Sequence, residues 1–307
     1  MLLRIRNLSV TFTTPNGSFQ ALNDIDLDVN EQETLAIVGE SGCGKSVLSY
    51  AALGLLHDMA EVSGSVQILG KEIRLLTNGE LQDVRGGTIA LVPQNPSLSF
   101  DPVVKVGEQI REFIEKTGIE KGGDARRRAL EFLALAGFSD PAGVYRAYSH
   151  RLSGGMCEMA LIAMAAAVEP KLLIADEPTK GLDMLVRRQI LSLLHSMATG
   201  ASLIMITHDI GAAATCKRIA VMYAGEIVEQ GPAVEVLESP LHYYTRGLLN
   251  AHPGKGMKPI RAGSPFPPGA DHGCRFRSRC EVADAHCESA PPWRDFGGRR
   301  KVRCHHA

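Results

Sequence analysis

The chain has 307 residues, of which 45% are hydrophobic and 22% are charged, and its 33 basic residues nearly balance its 34 acidic ones. This composition is typical of a soluble globular protein with a sizeable core, and the balanced charge gives no reason to expect nucleic acid as a partner. The longest apolar stretch, residues 159–168, is too short for the roughly 20 residues that a bilayer span needs, and no signal peptide is visible. We therefore expect a cytoplasmic or peripheral membrane protein.

Residues 1–33 alternate apolar and polar side chains around the turn Pro15-Asn16-Gly17, a pattern that predicts antiparallel strands. From residue 34 the pattern changes. Residues 35–38 read as a buried strand and residues 47–56 as a helix, followed by a β segment at 64–73 and a strand at 88–92. The first third of the chain thus joins two architectures.

The loop between that first buried strand and its helix, residues 39–46, reads Gly-Glu-Ser-Gly-Cys-Gly-Lys-Ser. This is the G-x-x-x-x-G-K-[ST] phosphate loop in the strand–loop–helix context that it requires. Its glycines let backbone N–H groups and the helix N-terminus face a triphosphate, Lys45 neutralises the β/γ-phosphates and Ser46 ligates Mg²⁺. The alternative, a flexible loop with a chance lysine, does not explain the flanking strand and helix. The predicted nucleotide-binding residues are Gly39, Ser41, Gly42, Cys43, Gly44, Lys45, Ser46 and Val47.

Helical periodicity at residues 106–113 and 125–136 predicts a helical insertion over residues 95–157. A helix at 159–168, a strand at 171–175, a helix at 186–197 and a strand at 202–207 follow. This alternation is typical of a parallel sheet with helices on its faces. We expect a nucleotide-binding core of residues 1–94 and 158–235, a helical subdomain of residues 95–157 and a C-terminal extension of residues 236–307.

Two adjacent carboxylates, Asp176 and Glu177, end the apolar strand at residues 172–175. Because neighbouring strand residues point to opposite sides, the two cannot share one role. Asp176 is placed to hold Mg²⁺ and Glu177 to polarise a water that attacks the γ-phosphate. An acidic pair at a strand end is more often simply solvated, but its position downstream of a phosphate loop favours catalysis.

The sequence Leu152-Ser153-Gly154-Gly155 resembles the signature motif of the ATP-binding-cassette (ABC) ATPases, and the resemblance covers residues 1 to about 250. It implies an α/β phosphate-loop ATPase core with an antiparallel β subdomain and a helical insertion. Ser153, Gly154 and Gly155 open a helix and so make a second anion-binding surface. The resemblance implies that ATP lies between the phosphate loop of one subunit and the signature motif of another.

Other positions match the same family one by one. Gln94 matches the residue that contacts Mg²⁺ and water ahead of the helical insertion where permeases dock, and His208 matches the histidine that contacts the γ-phosphate. Asp183 lies in the segment that bridges subunits, and Phe12 holds the place of the aromatic residue that stacks on adenine. An isolated histidine is more often structural, and a phenylalanine on an alternating strand is at least as often a core residue.

The chain also departs from the family pattern. Cys157-Glu158-Met159 follows the signature motif where glutamine and arginine are usual, and Lys180 precedes the bridging segment where a small residue is usual. Glu158 replaces a possible hydrogen-bond or ion-pair partner near the nucleotide. The phosphate, metal and water contacts are all present, so we expect activity, with reduced or asymmetric turnover as an open alternative.

Four of the seven cysteines crowd the C-terminal extension: Cys274, Cys280, Cys287 and Cys304. Their spacing is not that of a zinc ribbon. Arginines surround them, and thiolates near positive charge have a lowered pKa, so the set is a candidate for an iron–sulfur or zinc site; unligated cysteines are the alternative. The extension has little apolar sequence, and metal ligation would fold it.

This extension resembles the tails of ATPases from oligopeptide, dipeptide and nickel importers, on the matches Cys274, Phe276, Arg279, Cys280, Cys287, Pro291, Cys304 and His305. The resemblance ranks a [4Fe–4S] cluster first and zinc second. It implies ATP and Mg²⁺ as cofactors and import of peptides or nickel-type substrates at the cytoplasmic face of the membrane. The implied partners are a second ATPase subunit in a heterodimer, two transmembrane permease subunits and, indirectly, an external substrate-binding protein. The alternatives are a soluble ABC ATPase of a metabolic or nucleic-acid complex, and an ATPase regulated by a metal or redox centre.

Overall fold

The structure is a computed structural model that describes residues 1–15, 17–56, 60–251, 257–263 and 273–307. The turn predicted at Asn16 and most of the linker predicted over residues 251–273 lie outside the described residues. The strands of the described part are β1 (Leu3–Thr14), β2 (Gly17–Val29), β3 (Thr34–Val38), β4 (Ala60–Ile68), β5 (Lys71–Glu72), β6 (Ile89–Val92), β7 (Leu172–Asp176), β8 (Ser202–Thr207), β9 (Arg218–Tyr223), β10 (Glu226–Pro232), β11 (Trp293–Phe296) and β12 (Arg300–Arg303). Its helices are α1 (Lys45–Ala52), α2 (Asn78–Asp83), α3 (Pro96–Ser99), α4 (Val106–Lys116), α5 (Gly122–Leu135), α6 (Pro141–Arg146), α7 (Gly154–Ala166), α8 (Met184–Met197), α9 (Ile210–Ala213), α10 (Ala233–Glu238) and α11 (Tyr243–Asn250).

A four-stranded antiparallel sheet contains β2, β1, β4 and β5 in that spatial order. Along β1, Leu3 and Ile5 are buried, and the register shifts before Leu8 and Val10, which are buried as well. Asn7 lies within this shift with a φ of 47°, so one extra residue returns the apolar side chains to the same face. The predicted antiparallel β subdomain is confirmed.

A second sheet has eight strands in the order β11-β12-β10-β9-β3-β8-β7-β6. The neighbours from β9 to β6 are parallel, whereas β10, β12 and β11 are antiparallel. Alternate residues of β3 enter two different cores: Ala36 and Val38 face one, and Leu35 and Ile37 face the other. A parallel sheet covered on both faces explains why these strands read as continuous apolar runs.

The helical region between β6 and β7 contains α3 to α7. Val106, Ile110 and Ile114 are buried on one face of α4, each four residues after the last. The matching positions of α5 are Ala125, Ala129 and Leu133. This spacing is the helical periodicity seen in the sequence, and the predicted helical region is confirmed.

Helices α1 and α7 differ from the sequence prediction in where they begin or end. Helix α1 begins at Lys45, because Gly44 at its N-cap adopts a φ of 103°, and it ends at Ala52. Gly54, with a φ of 62°, stops it: the N–H of Gly54 donates to Ala51 O and that of Leu55 to Tyr50 O, the pair of bonds that defines a Schellman motif. Helix α7 begins at Gly154, earlier than the predicted residue 159.

The C-terminal residues extend the main sheet. Strand β12 pairs with β10, so that Val302 lies opposite Glu229. Phe276 is buried in the same core as Tyr223 and Tyr244. The sequence suggested a segment with little apolar core of its own, and the described residues gain burial from the body of the protein instead. None of the helices in the described part of the chain has the length and apolar character that a membrane span requires.

Candidate nucleotide-binding site

The carboxyl ends of four adjacent parallel strands bring the predicted site residues to one edge of the sheet. The strands β3, β8, β7 and β6 are neighbours in that order. The phosphate loop follows β3, His208 follows β8, Asp176 ends β7 and Gln94 follows β6. Ligands of open α/β sheets bind outside the carboxyl ends of the strands, so the topology places these residues where a ligand binds.

The glycines of the loop are required by its backbone and its close packing. Gly42 and Gly44 have φ values of 81° and 103°, which side-chain-bearing residues rarely adopt. A Cβ at Gly39 would lie 2.2 Å from the carbonyl oxygen of Met222. The loop therefore packs its backbone against β9 and turns back into α1.

Lys45 is buried, and its ammonium donates to the carbonyl oxygens of Gly39 and Glu40, each at 2.9 Å. These bonds hold the side chain across the loop, where a phosphate group would meet it. Cys43 is buried, and burial raises the pKa of its thiol. Because the thiol is buried and neutral, Cys43 would contact a ligand through its main chain. Of the remaining loop residues, Ser41 and Gly42 are exposed, and Ser46 and Val47 are half-buried.

Asp176 is 1% exposed, and neither carboxylate oxygen has a hydrogen-bond partner of standard geometry in the described residues. Burial raises its pKa, while the adjacent Ser46 hydroxyl and the positive charge of Lys45 lower it. Two unpaired oxygens beside a serine hydroxyl form an oxygen donor set of the kind that Mg²⁺ prefers. The residues present therefore fit the divalent cation that accompanies a nucleoside triphosphate.

Glu177 and His208 are in contact: Nδ1 of the histidine lies 2.7 Å from Oε2 of the glutamate. Glu177 has a φ of 52° and its N–H donates to Ile206 O, which anchors it to β8. Its side chain is 8% exposed, whereas that of His208 is 51% exposed. Backbone strain of this kind persists where the surroundings fix it, and here it directs a buried carboxylate toward an exposed histidine.

The signature residues begin α7. Ser153 accepts a hydrogen bond from the N–H of Met156 at 3.2 Å and so caps the helix. Ser153 and Gly154 are exposed, and a Cβ at Gly155 would lie 2.7 Å from Val186. Asp183 is exposed and caps α8 through the N–H groups of Leu185 and Val186. The two capped helix starts thus pack against each other at the surface.

The remaining predicted residues, Gln94 and Phe12, are both half-buried. Phe12 lies on β1 opposite Phe19 and packs against the core beneath the antiparallel sheet.

Three contacts at the loop have no signal in the local sequence. The N–H of Glu40 donates to the Tyr244 hydroxyl at 2.9 Å, and the Glu40 carboxylate is paired with Arg279 at 2.8 Å. Arg275 donates to the carbonyl oxygen of Ala224 in the turn beside the loop. Arg275 and Arg279 stand beside Cys274 and Cys280 in the sequence, but their partners at the loop lie far away along the chain.

The C-terminal cysteines differ in part from the sequence prediction. Arginines were expected to lower the pKa of the thiols, but burial raises the pKa of Cys274 to about 12 and also raises the pKa values of Cys280 and Cys304. The nearby arginines instead pair with carboxylates: Arg275 with Glu226, Arg279 with Glu40 and Arg300 with Glu229. Among the described residues, the group with metal-ligand spacing is Asp284, Cys287 and His306, whose ligand atoms lie within 4.8 Å of one another.

Comparison with known proteins decides the family. Residues 22–180, more than half of the chain, match the family model described as ABC transporter, and residues 228–287 match the C-terminal region of oligopeptide/dipeptide transporters. The chain belongs to the oligopeptide/dipeptide family of ABC transporter ATP-binding proteins. As a member, it is an ABC-type ATPase.

This ABC ATPase is 39% identical to the oligopeptide transport ATP-binding protein OppD of Escherichia coli, over 99% of this chain and 92% of that protein. It is 38% identical to the dipeptide transport ATP-binding protein DppD of Bacillus subtilis, over 95% of this chain and 90% of the relative. Its fold is similar to a dimeric post-hydrolysis structure of the ATP-binding cassette MJ0796 bound to ADP and phosphate, with a TM-score of 0.69, 27% identity, and coverage of 76% of this chain and 99% of that one. The predicted ABC cassette fold is confirmed.

Proposed function

We propose that this ABC ATPase hydrolyses ATP to drive the import of oligopeptides or dipeptides through separate membrane permease subunits. The observation that carries hydrolysis is the 2.7 Å contact between Glu177 and His208 at the same sheet edge as the phosphate loop. The similarity to oligopeptide and dipeptide transport proteins supports peptides over nickel as the cargo.

Each site residue has a role in this proposal. Glu177 orients and polarises the attacking water, and His208, held by Glu177, contacts the γ-phosphate. Lys45 and the loop N–H groups bind the β/γ-phosphates, and Phe12 stacks on the adenine. Ser46, Gln94 and Asp176 would hold Mg²⁺, which neutralises charge on the phosphate oxygens.

A second ATPase subunit completes the site. The exposed Ser153 and Gly154, with Asp183 nearby in the subunit-bridging segment, would face the ATP held by the phosphate loop of that partner. The dimeric form of the structurally similar MJ0796 supports this arrangement, and we favour two different subunits. The core (residues 1–94 and 158–235) would close on ATP, while the helical subdomain (residues 95–157) carries the motion to a permease at the cytoplasmic face of the membrane.

We also propose that the cysteines of the extension (residues 236–307) bind metal. A [4Fe–4S] cluster would use Cys274, Cys280, Cys287 and Cys304, whereas the donor set of Asp284, Cys287 and His306 suits zinc. Metal analysis and the visible spectrum of anaerobically purified protein separate these two sites. Iron together with visible absorption supports the cluster, zinc supports the second set, and the absence of both metals would contradict both proposals.

The test of hydrolysis is the Glu177→Gln variant. We expect it to bind ATP as the wild type does but to lose at least about 100-fold in turnover, because the amide cannot polarise water while the phosphate contacts remain. Turnover and the Kd of a fluorescent ATP analogue are measured on the same preparations.

Glu235→Gln, an exposed position on α10, is the control and should match the wild type in both measurements. Turnover of Glu177→Gln at the wild-type rate would exclude Glu177 as the group that activates water. Co-purification with permease subunits tests the transport role, and recovery with soluble enzymes alone would contradict it.

A further inference from the structure

An ion pair between a buried arginine and a half-buried glutamate joins the cysteine-rich segment to the phosphate loop. Arg279 directly precedes Cys280, and its guanidinium binds both carboxylate oxygens of Glu40, with Nη1–Oε2 at 2.8 Å and Nη2–Oε1 at 2.9 Å. The Arg279 side chain is 7% exposed and that of Glu40 is 28% exposed. A two-bond arginine–carboxylate pair of this kind fixes orientation as well as distance.

Glu40 is the second residue of the phosphate loop, and each of its polar groups is held. Its carbonyl oxygen accepts from the Lys45 ammonium at 2.9 Å, its N–H donates to the Tyr244 hydroxyl at 2.9 Å, and its carboxylate is bound by Arg279. The same carbonyl also accepts from the N–H of Cys43 at 3.3 Å. Moving Glu40 would therefore move the main chain that positions Lys45.

Arg279 is itself fixed by the body of the protein. Its Nε donates to Arg261 O at 2.8 Å and its Nη1 to the Tyr223 hydroxyl at 3.3 Å. The guanidinium carbon lies 5.7 Å from the centre of the Tyr223 ring. That ring packs against Tyr244 and Phe276, with ring centres 4.6 Å and 5.2 Å apart. The Arg279 side chain is thus already held in place before nucleotide binds, so no entropy has to be lost at binding to order it beside Glu40.

We propose that Arg279 is a positioning residue of the ATPase site, which holds Glu40 and the phosphate loop in the conformation that binds the triphosphate. The proposal rests on the function proposed above and extends it to the cysteine-rich segment, whose folding sets the place of Arg279. It gives that segment a role in nucleotide affinity.

A second ion pair in the same segment provides the matched control. Arg300 is 6% exposed and is bound to Glu229 at 2.6 Å. Glu229 belongs to β10, and its carboxylate accepts hydrogen bonds from the N–H groups of Leu241 and His242. This pair has no contact with the phosphate loop. Loss of Arg300 leaves the buried carboxylate of Glu229 without its partner, and loss of Arg279 does the same to the half-buried carboxylate of Glu40, but only the loss of Arg279 should affect the loop.

The experiment compares Arg279→Met, Arg279→Lys, Glu40→Gln, the double variant of Arg279→Met with Glu40→Gln, and Arg300→Met in the full chain. The Kd of a fluorescent ATP analogue, the KM and kcat of ATP hydrolysis, and the urea midpoint are measured. For Arg279→Met and Glu40→Gln we expect Kd and KM to rise about 10- to 100-fold, because small displacements of a binding group have effects of this size, while kcat at saturation changes less. Arg279→Lys should lie between them and the wild type, since it keeps the charge but not the two-bond geometry.

The double variant should bind no more weakly than either single variant, because the two residues act as one unit. Arg300→Met should lower the urea midpoint and leave Kd unchanged. Additive effects, a wild-type Kd in Glu40→Gln, or an equal loss of affinity in Arg300→Met would each overturn the proposal. If Arg279→Met does not fold, Glu40→Gln still tests the proposal, because it breaks the same ion pair by changing the more exposed partner. A wild type that binds nucleotide without hydrolysing it would contradict the proposed function and still allow the Kd comparison.

Discussion

Glu158 lies in α7 just after the signature motif, where the family usually carries glutamine and arginine. Its side chain is buried, with a residue exposure of 3%, and its Oε1 atom has no hydrogen-bond partner in the described residues. Burial raises its pKa from 4.5 to about 8. The carboxyl group is therefore mostly protonated near neutral pH, which avoids a buried charge. The departure from the family pattern therefore places a carboxyl group in the protein core, on the buried side of α7.

This burial predicts a pH-dependent stability. Between its unfolded pKa of 4.5 and its folded pKa of about 8, Glu158 holds a proton in the folded chain that the unfolded chain has released, so stability falls as pH rises. Relative to Glu158→Gln, the wild type should lose roughly 1 kcal/mol of unfolding free energy per pH unit between pH 5 and 7.

Urea unfolding at pH 5, 6 and 7 measures that difference. Buried His242, whose pKa is lowered to about 3 by burial, contributes the opposite slope below about pH 6.5. His242 makes the same contribution in the wild type and in Glu158→Gln, so it cancels in the difference between their unfolding free energies. Parallel stability profiles would contradict a protonated Glu158.

At the scale of elements, α4 and α6 are packed through a glycine. A Cβ at Gly107 would lie 2.0 Å from the Tyr145 ring, whose hydroxyl donates to Glu108 at 3.0 Å. Glycine ordinarily weakens a helix, but here it admits the aromatic ring that joins the two helices. The helical region is thus held by close packing at one point as well as by its apolar stripe.

Gly107→Ala should therefore destabilise the protein by about 1 to 3 kcal/mol, because overpacking outweighs the gain of about 1 kcal/mol in helix propensity. Gly123→Ala in α5 is the matched control, since its Cβ would meet no atom within 4 Å, and it should be neutral or slightly stabilising. Thermal unfolding of both variants checks the prediction, and equal midpoints would contradict it.

The features that could be predicted from the sequence are those set by residues close together in the chain. The period of α4, the apolar run of β3 and the spacing of the phosphate loop are local, so the helical region, the sheet and the loop were all recognised. The end of α1 was missed because it depends on Gly54 adopting a left-handed conformation. The pairing of β12 with β10 and the contact of Arg279 with Glu40 join distant residues, and no local period marks either of them.

At the scale of the whole molecule, one subunit carries an exposed helix start that suits an anion, capped by Ser153, as well as a phosphate loop of its own. The start of α7 is open: a Cβ at Gly154 would meet no atom within 4 Å. A substitution there changes the surface that a partner subunit would meet and leaves the fold intact.

Gly154→Asp should lower turnover of the assembled transporter at least about tenfold, because a carboxylate would face the phosphates held by the partner. The isolated subunit should keep its nucleotide affinity and its stability, since an acidic residue in the first turn favours a helix. Gly79→Asp, in the equally open first turn of α2, is the control. Unchanged turnover in Gly154→Asp would argue against a shared site.

The ion pair between Glu40 and Arg279 spans 239 residues of sequence. Strand β3, which leads into the loop, also pairs with the distant strands β8 and β9, and contacts between residues so far apart form only after a very long loop has closed, an entropically slow step. The phosphate loop is therefore held at its first two residues from far along the chain, by Met222 of β9 at Gly39 and by Arg279 at Glu40. A chain shortened to end before Arg279 would keep the strand, loop and helix of the ATP site, but the Glu40 carboxylate would lose its arginine partner.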